Sequence, residues 1–226
     1  MNNLAFVVFA YIALTLFVVG HAYRYATDML RWNAHSNEFL EKQQHFGAIT
    51  LFHWGILLTL CGHAGGLLIP QSLFDRVGID AAAHLKIAYL SGLVVGNAAL
   101  IGSLWLIVRR LTFPRLRANT TVNDWVTLTA IAVVSGAGLF NVLFGHFDVL
   151  DTVAPWIRGI VTLRPDPDLM ATVPLSYKVH IFLALALLGF SPFSRLVHIW
   201  SAPVYYLLRR PIVMRRHPGG PAPGRV

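Results

Sequence analysis

The chain has 226 residues, of which 56% are hydrophobic and only 12% are charged, and its formal net charge is +8. A mean hydropathy of +0.60 with so few charges excludes an ordinary soluble domain and indicates a membrane protein with several spans. The one cysteine, Cys61, excludes an intrachain disulfide and an iron–sulfur cluster, which needs several thiolates. We interpret it as a small packing residue.

Five apolar stretches predict the fold. Each approaches the roughly 20 residues that a helix needs to cross the hydrocarbon core. Continuous apolar runs are typical of spanning helices and lack the alternation of barrel strands. The sequence therefore predicts an all-α, polytopic membrane protein with a single domain over residues 1–226. The predicted transmembrane helices cover about residues 4–22, 47–69, 85–108, 125–147 and 177–200.

Charge asymmetry between alternate loops predicts the topology. Segments 23–46, 109–124 and 201–226 carry twelve cations and four acids, whereas the loops on the other side carry five cations and six acids. Cytoplasmic loops carry the excess of Lys and Arg, so we expect a periplasmic (outside) N-terminus and a cytoplasmic C-terminus. Residues 209–226 are basic and rich in Pro and Gly, and we expect them to form a cytoplasmic tail. The positive charge is divided among three short segments beside the bilayer, which argues against binding of nucleic acid.

Two of the predicted helices each carry two histidines, and an ionisable side chain within a span usually has a function. His53 and His63 lie in the second helix, and His180 and His198 lie in the fifth. The predicted topology makes these helices antiparallel. His53 and His198 then lie toward the inner face, and His63 and His180 lie toward the outer face. The pattern predicts two bis-histidine haems between the two helices.

The spacing of the histidines constrains their geometry. The second-helix pair is separated by roughly 15 Å of helix rise, and the fifth-helix pair by roughly 27 Å. These unequal rises require tilted haem planes, crossing helices or a bend. Pro192 is a candidate position for a kink because it lacks a backbone donor.

Residues beside the histidines each have two interpretations. Four glycines in the second helix either make room for a flat macrocycle or bring helices into close contact; they are Gly55, Gly62, Gly65 and Gly66. Arg195 lies one turn before His198. It is a candidate contact either for a haem propionate or for a lipid phosphate.

Three segments carry a resemblance to a known family: FHWGILLTLCGHAGGLLIP, RRLTFPRLRANTT and FSPFSRLVHIWSAPVYYL. In these segments, and in its length and its five spans, the chain resembles the gamma subunit of membrane-bound respiratory nitrate reductase, a dihaem cytochrome b. The histidine spacings match the ligand pattern of that family. The resemblance implies that His53 and His198 bind an inner haem b, and that His63 and His180 bind an outer haem b.

The resemblance also implies a function in the inner (cytoplasmic) membrane. The family oxidises a quinol, menaquinol or ubiquinol, near the outer haem and releases protons outside. A lysine just before or within the third helix contributes in that family; here Lys86, on residue type, and His84, on register, are both candidates. Electrons would pass through the two haems to a cytoplasmic iron–sulfur beta subunit. A molybdenum-cofactor alpha subunit would reduce nitrate, which this chain cannot do alone. The basic segment RRLTFPRLR is either a docking surface for these partners or ordinary charge facing lipid.

Three alternatives stay open. A related dihaem subunit could serve a heterodisulfide-reductase-like or sulfite-reduction-associated complex. A haem-free transporter or channel could use the histidines as proton relays, but it predicts acids at helix centres, and the ten Asp and Glu residues lie elsewhere in the pattern. A membrane anchor could use the histidines for packing alone, which their matched depths argue against.

Overall fold

The structure is a computed structural model, and it describes residues 3–27 and 45–199. Within these two ranges every regular element is helical, which confirms the prediction of an all-α protein. Short π-helical turns precede the first α-helix and follow the second, at Leu4–Val8 and Ala64–Leu68. The α-helices are α1 (Phe9–Thr27), α2 (His45–His63), α3 (Gln71–Arg76), α4 (Ala81–Thr112), α5 (Pro114–Ala118), α6 (Val122–Phe144), α7 (Val153–Val161) and α8 (Leu175–Phe190).

Among the described residues, five helical stretches are long and apolar enough to cross a membrane, as the sequence predicts. They are Leu4–Thr27, Phe46–Leu68, Ala81–Thr112, Val122–Phe144 and Leu175–Phe193. Their orientation stays a prediction, and the predicted tail lies outside the described residues. We call the end of the bundle that carries α3 and α7 the outer end, and the end that carries α5 the inner end.

The spanning helices pack in the order α2, α4, α6, α8, α1. The helices α2 and α4 approach each other closely, and two glycines there face the backbone of the opposite helix. A Cβ on Gly55 would lie 2.4 Å from the backbone nitrogen of Ala99, and one on Gly102 would lie 2.6 Å from Cα of Phe52. Small residues of this kind allow backbones to meet where lipid removes any hydrophobic drive between helices. The sequence left two roles open for Gly55, room for a macrocycle or close contact between helices, and the structure shows the close contact.

The fifth predicted helix is not continuous, which corrects the expected run over 177–200. The α-helix α8 ends at Phe190 and is followed by two 3-10 turns, Ser191–Phe193 and Arg195–Ile199. Pro192 lies in the first of these turns, where its ring and missing N–H prevent a further α-helical turn. Arg24 of α1 donates a hydrogen bond of 2.8 Å to the carbonyl oxygen of Pro192. The break places His198 on a separate turn.

A connector over residues 145–174 covers the outer end of the bundle, and the sequence did not predict its helix α7. Trp156 is buried and donates from Nε1 to the carbonyl oxygen of Phe6, at 3.0 Å. Arg158, half a turn further, donates from Nη1 to the carbonyl oxygen of Leu67, at 3.1 Å. The connector thus fastens the start of α1 to the end of the second span.

Gly55→Ala is expected to lower stability, because its Cβ would overlap the α4 backbone and overpacking typically costs about 1–3 kcal/mol. Gly136→Ala is the matched control: its Cβ would lie 3.9 Å from the nearest atom, Cδ1 of Leu100, and alanine has the better helix propensity. Thermal unfolding of the detergent-solubilised chain, followed by tryptophan fluorescence, measures both. Equal melting temperatures for the two variants would contradict the close α2–α4 contact.

Candidate functional site

The four singled-out histidines meet in the two pairs that the sequence predicts. The ring centres of His53 and His198 are 5.8 Å apart, with 64° between the ring planes. Those of His63 and His180 are 6.1 Å apart, with 39° between the planes. A metal–imidazole bond is about 2 Å long, so one metal ion held between two imidazoles separates the ring centres by about 6 Å. Both pairs have this spacing.

Backbone carbonyls fix the tautomer of each imidazole. His53 donates from Nδ1 to Ile49, and His63 donates from Nδ1 to Thr59, both at 2.8 Å and both within α2. His198 donates in the same way to the carbonyl oxygen of Arg195. A carbonyl oxygen can only accept, so the proton stays on Nδ1 and the lone pair stays on Nε2. This is the usual arrangement of a metal-ligating histidine, whose other nitrogen is held by a hydrogen bond.

His180 is held by a neighbouring helix. Its Nδ1 donates to the carbonyl oxygen of Val134 on α6, at 3.1 Å. Gly138, one turn further along α6, makes room for the ring, since a Cβ there would lie 2.9 Å from Cε1 of His180. Gly138 was not among the residues that the sequence pattern singled out for the site. The signal that could have found it is the run of small residues SGAG before the outer end of the fourth span.

The donor set favours haem over a bare metal ion. In the part of the chain that the structure describes, no group of three or more His, Cys, Asp or Glu side chains could hold a metal. Protein-bound zinc and copper generally take three or four protein ligands, whereas haem iron takes only axial ligands from the chain. Ideal Cβ atoms on Gly62 and Gly65, beside His63, meet no atom within 4 Å. The residues present therefore fit a macrocycle at this level.

The two quinol-site candidates differ in their surroundings. His84 is buried and lies at the outer end, with Phe74 packed on its ring at 4.2 Å between centres. Its Nδ1 donates to Oε1 of Gln71, at 2.8 Å, so in the neutral ring Nε2 is the acceptor. That Nε2 would be 3.5 Å from a Cβ on Gly66, which follows His63 by less than one turn. Lys86 lies on the same helix with an exposed side chain.

Arg195 lies in an ion pair that the sequence analysis missed. Its guanidinium donates from Nη2 to Oδ2 of Asp124, at 3.0 Å, and from Nε to Oδ1 of the same carboxylate. In the charge pattern Asp124 belongs to the loop 109–124, but its side chain is buried at the start of α6. Arg109 and Arg110 are buried nearby in the last turn of α4. Contact between Arg195 and a haem propionate stays a prediction.

The fold and the site of the described residues define a class: a membrane protein with five helices of spanning length and two close pairs of histidines. The family model described as nitrate reductase gamma subunit matches residues 2–217. The chain belongs to this family.

Several characterised proteins are similar to the chain over most of its length. The nitrate reductase gamma chain of Bacillus subtilis is 40% identical over 91% of this chain and 94% of its own. The respiratory nitrate reductase 1 gamma chain of Escherichia coli is 33% identical over 96% of this chain and 99% of its own. A more distant relative belongs to the dihydromethanophenazine:CoB–CoM heterodisulfide reductase of Methanosarcina thermophila. This component of that enzyme is 28% identical over 64% of this chain and 52% of its own.

Proposed function

We propose that this chain is the dihaem cytochrome b subunit of a quinol:nitrate oxidoreductase. In this proposal it oxidises quinol near its outer end and delivers electrons to a partner at its inner end. The observation that carries the proposal is the pair of facing imidazole couples, each ring with its proton held on Nδ1 by a carbonyl. Family membership supports the assignment to nitrate reductase.

The histidines have distinct places in this proposal. His53 and His198 would hold the inner haem b, and His63 and His180 would hold the outer haem b. When bound, the haems would supply one-electron carriers between quinol and an iron–sulfur partner. The carbonyl acceptors on Nδ1 would keep each ring oriented and raise the basicity of its Nε2.

His84 is the better candidate for the proton acceptor of quinol oxidation. Its burial, the accepting Nε2 of its neutral tautomer and its proximity to Gly66 support this role. A group within hydrogen-bond reach of a quinol hydroxyl at this end could take the proton and release it to the outer side. Gln71 would keep His84 in the accepting tautomer, because its amide nitrogen donates to Asp75 and to the carbonyl of Ile79 and thereby turns Oε1 toward the imidazole. Lys86 stays a candidate for a quinol contact at the same end.

The partners follow from the family and from the charge distribution. The relatives from Bacillus subtilis and Escherichia coli are gamma chains of nitrate reductases, and a gamma chain implies a complex with further subunits. We propose an iron–sulfur beta subunit and a molybdenum-cofactor alpha subunit at the cytoplasmic face of the inner membrane. The exposed Arg115 and Arg117 on α5, at the inner end, are candidate contacts for the beta subunit. The sequence supports this side because positive charge marks cytoplasmic loops.

A second candidate function keeps the same haem chemistry with a different electron acceptor. The similarity to the heterodisulfide reductase component favours this alternative over a transporter or an anchor. The higher identity and fuller coverage of the nitrate reductase gamma chains favour nitrate. Genes for a molybdopterin subunit beside the gene for this chain would distinguish the two complexes.

Replacing either outer histidine is expected to remove one of two haems. The His63→Ala and His180→Ala variants should each bind one haem b per chain, against two in the wild type. Quinol should no longer reduce the haem that remains, whereas an artificial donor still should. A pyridine haemochrome assay against protein concentration measures the stoichiometry.

His146→Asn is the matched control for these variants. It lies at the outer end outside both pairs, and asparagine tolerates its positive φ of 40°. The control should retain both haems. A wild-type chain with one haem, or an alanine variant with two, would contradict the proposed pairing.

Substitution of His84 and Lys86 tests the quinol site. The His84→Gln variant is expected to slow quinol-dependent haem reduction by about 100-fold or more, in the range typical of general bases, while keeping both haems. Lys86→Gln, two residues along α4, is the matched comparison. Stopped-flow haem reduction by quinol and the affinity of a quinol-site inhibitor are the two measurements. A larger effect at Lys86 would transfer the role to it, and no effect at either residue would move the site elsewhere.

A further inference from the structure

His198 differs from the other three paired histidines in the element that carries it. His53 and His63 lie on α2, and His180 lies on α8, but His198 lies on the 3-10 turn Arg195–Ile199 beyond the break at Pro192. A short 3-10 turn has poorer hydrogen-bond geometry than an α-helix. The position of His198 therefore depends on contacts between this turn and the rest of the protein.

The strongest of those contacts is the ion pair of Arg195 with Asp124. Two guanidinium nitrogens contact the two carboxylate oxygens, an arrangement that fixes direction as well as distance. Asp124 is itself held in place: it accepts from the backbone nitrogen of Thr121 at 2.9 Å, and its own backbone nitrogen donates to Oγ1 of Thr121 at 3.2 Å. This capping box anchors the carboxylate to the first turn of α6.

The same arginine also orients the imidazole. The carbonyl oxygen of Arg195 accepts the hydrogen bond from Nδ1 of His198, so one residue joins the carboxylate to the histidine. We propose that Asp124 is a positioning residue for His198: through Arg195 it fixes the carbonyl that holds Nδ1–H, and with it the direction of Nε2 toward His53. This inference rests on the proposed function, in which that pair holds the inner haem.

The inner and outer pairs differ in their dependence on this ion pair. The Nδ1 acceptors of the outer pair are carbonyls of Thr59 and Val134, within the continuous helices α2 and α6. An outer-shell partner tunes both the orientation and the basicity of a metal-bound histidine, and hydrogen bonding around a haem shifts its potential. Loosening Arg195 should therefore change the inner haem and leave the outer haem as it is.

The test compares Asp124→Asn with Thr121→Ala in membranes that contain the full chain. Thr121→Ala removes part of the same helix cap but leaves the carboxylate on Arg195. Redox titration, followed optically and by electron paramagnetic resonance, reports the midpoint potential and the low-spin g values of each haem. The expected result for Asp124→Asn is two haems per chain, a shifted potential and shifted g values for the inner haem, and unchanged values for the outer haem.

A double-mutant cycle separates the pair from its surroundings. Arg195→Gln should shift the g values of the inner haem in the same direction as Asp124→Asn, and the double variant should shift them no further, because both single changes break one interaction. The g values are compared here because loss of a negative charge and loss of a positive charge shift a midpoint potential in opposite directions. If Asp124→Asn yields too little folded chain, Arg195→Lys carries the same expectation, since it keeps the charge but loses the two-point contact.

Two results would overturn the inference. One is an inner haem with wild-type potential and g values in Asp124→Asn. The other is an equal shift in Thr121→Ala, which would assign the effect to fraying of α6. A wild-type chain that binds no haem would contradict the proposed function itself. That result can be distinguished from failure of this inference, which needs a wild-type chain with two haems.

Discussion

The geometry of this protein depends on holding two pairs of imidazoles about 6 Å apart on elements whose main packing partners are other helices. The extensive contacts of α2 are with α4, and those of α8 are with α6 and α1. The spacing within each histidine pair is therefore set indirectly, through the sequence of contacts α2–α4–α6–α8. The backbone approach at Gly55 and Gly102 is one of these contacts, so a shift of α2 against α4 would alter both pairs together.

Backbone carbonyls supply the second constraint, and they couple the pairs to different parts of the fold. Three of the acceptors lie on the same element as their histidine, but His180 bonds to Val134 on α6. Because Gly138 also makes room for that ring, α6 determines both the direction and the clearance of His180. Its first turn carries Asp124, which contacts the inner end of the site. One helix thus supports both levels without contributing a histidine to either.

Much of the fold followed from the sequence because lipid leaves few solutions for an apolar run of spanning length. The histidine pairing could be predicted from the loop charges, because they indicate that the second and fifth helices are antiparallel and carry their histidines at matched depths. The interruption of the fifth helix could be predicted only in part. Pro192 indicated a kink, but the extent of the 3-10 segment depends on contacts with Arg24 and Asp124. The Asp124–Arg195 pair joins residues that are 71 positions apart, and no local pattern distinguishes such an acid from one in a loop.

The site details that escaped prediction depend on three-dimensional packing. Whether a glycine faces a neighbouring helix or open space is decided by rotation of the helix about its axis, so Gly55 and Gly62 could not be told apart from the sequence. Likewise, Gln71 is thirteen residues before His84 and meets it only because α3 folds back against the start of α4. The helix α7 is short and amphipathic, and hydropathy over spanning lengths does not detect it.

The connector at the outer end has a mechanical consequence. Trp156 and Arg158 lie two residues apart on one short helix, yet they bind carbonyls at the tips of two different spans. Movement of one tip relative to the other would strain one of these hydrogen bonds. The short helix α7 therefore resists shear between the first two spans near the level of His63. At the opposite end the hydrogen bonds converge on one segment instead: Arg24 of α1 donates to the carbonyl oxygen of Pro192, and Asn123 of α6 donates to that of Phe193.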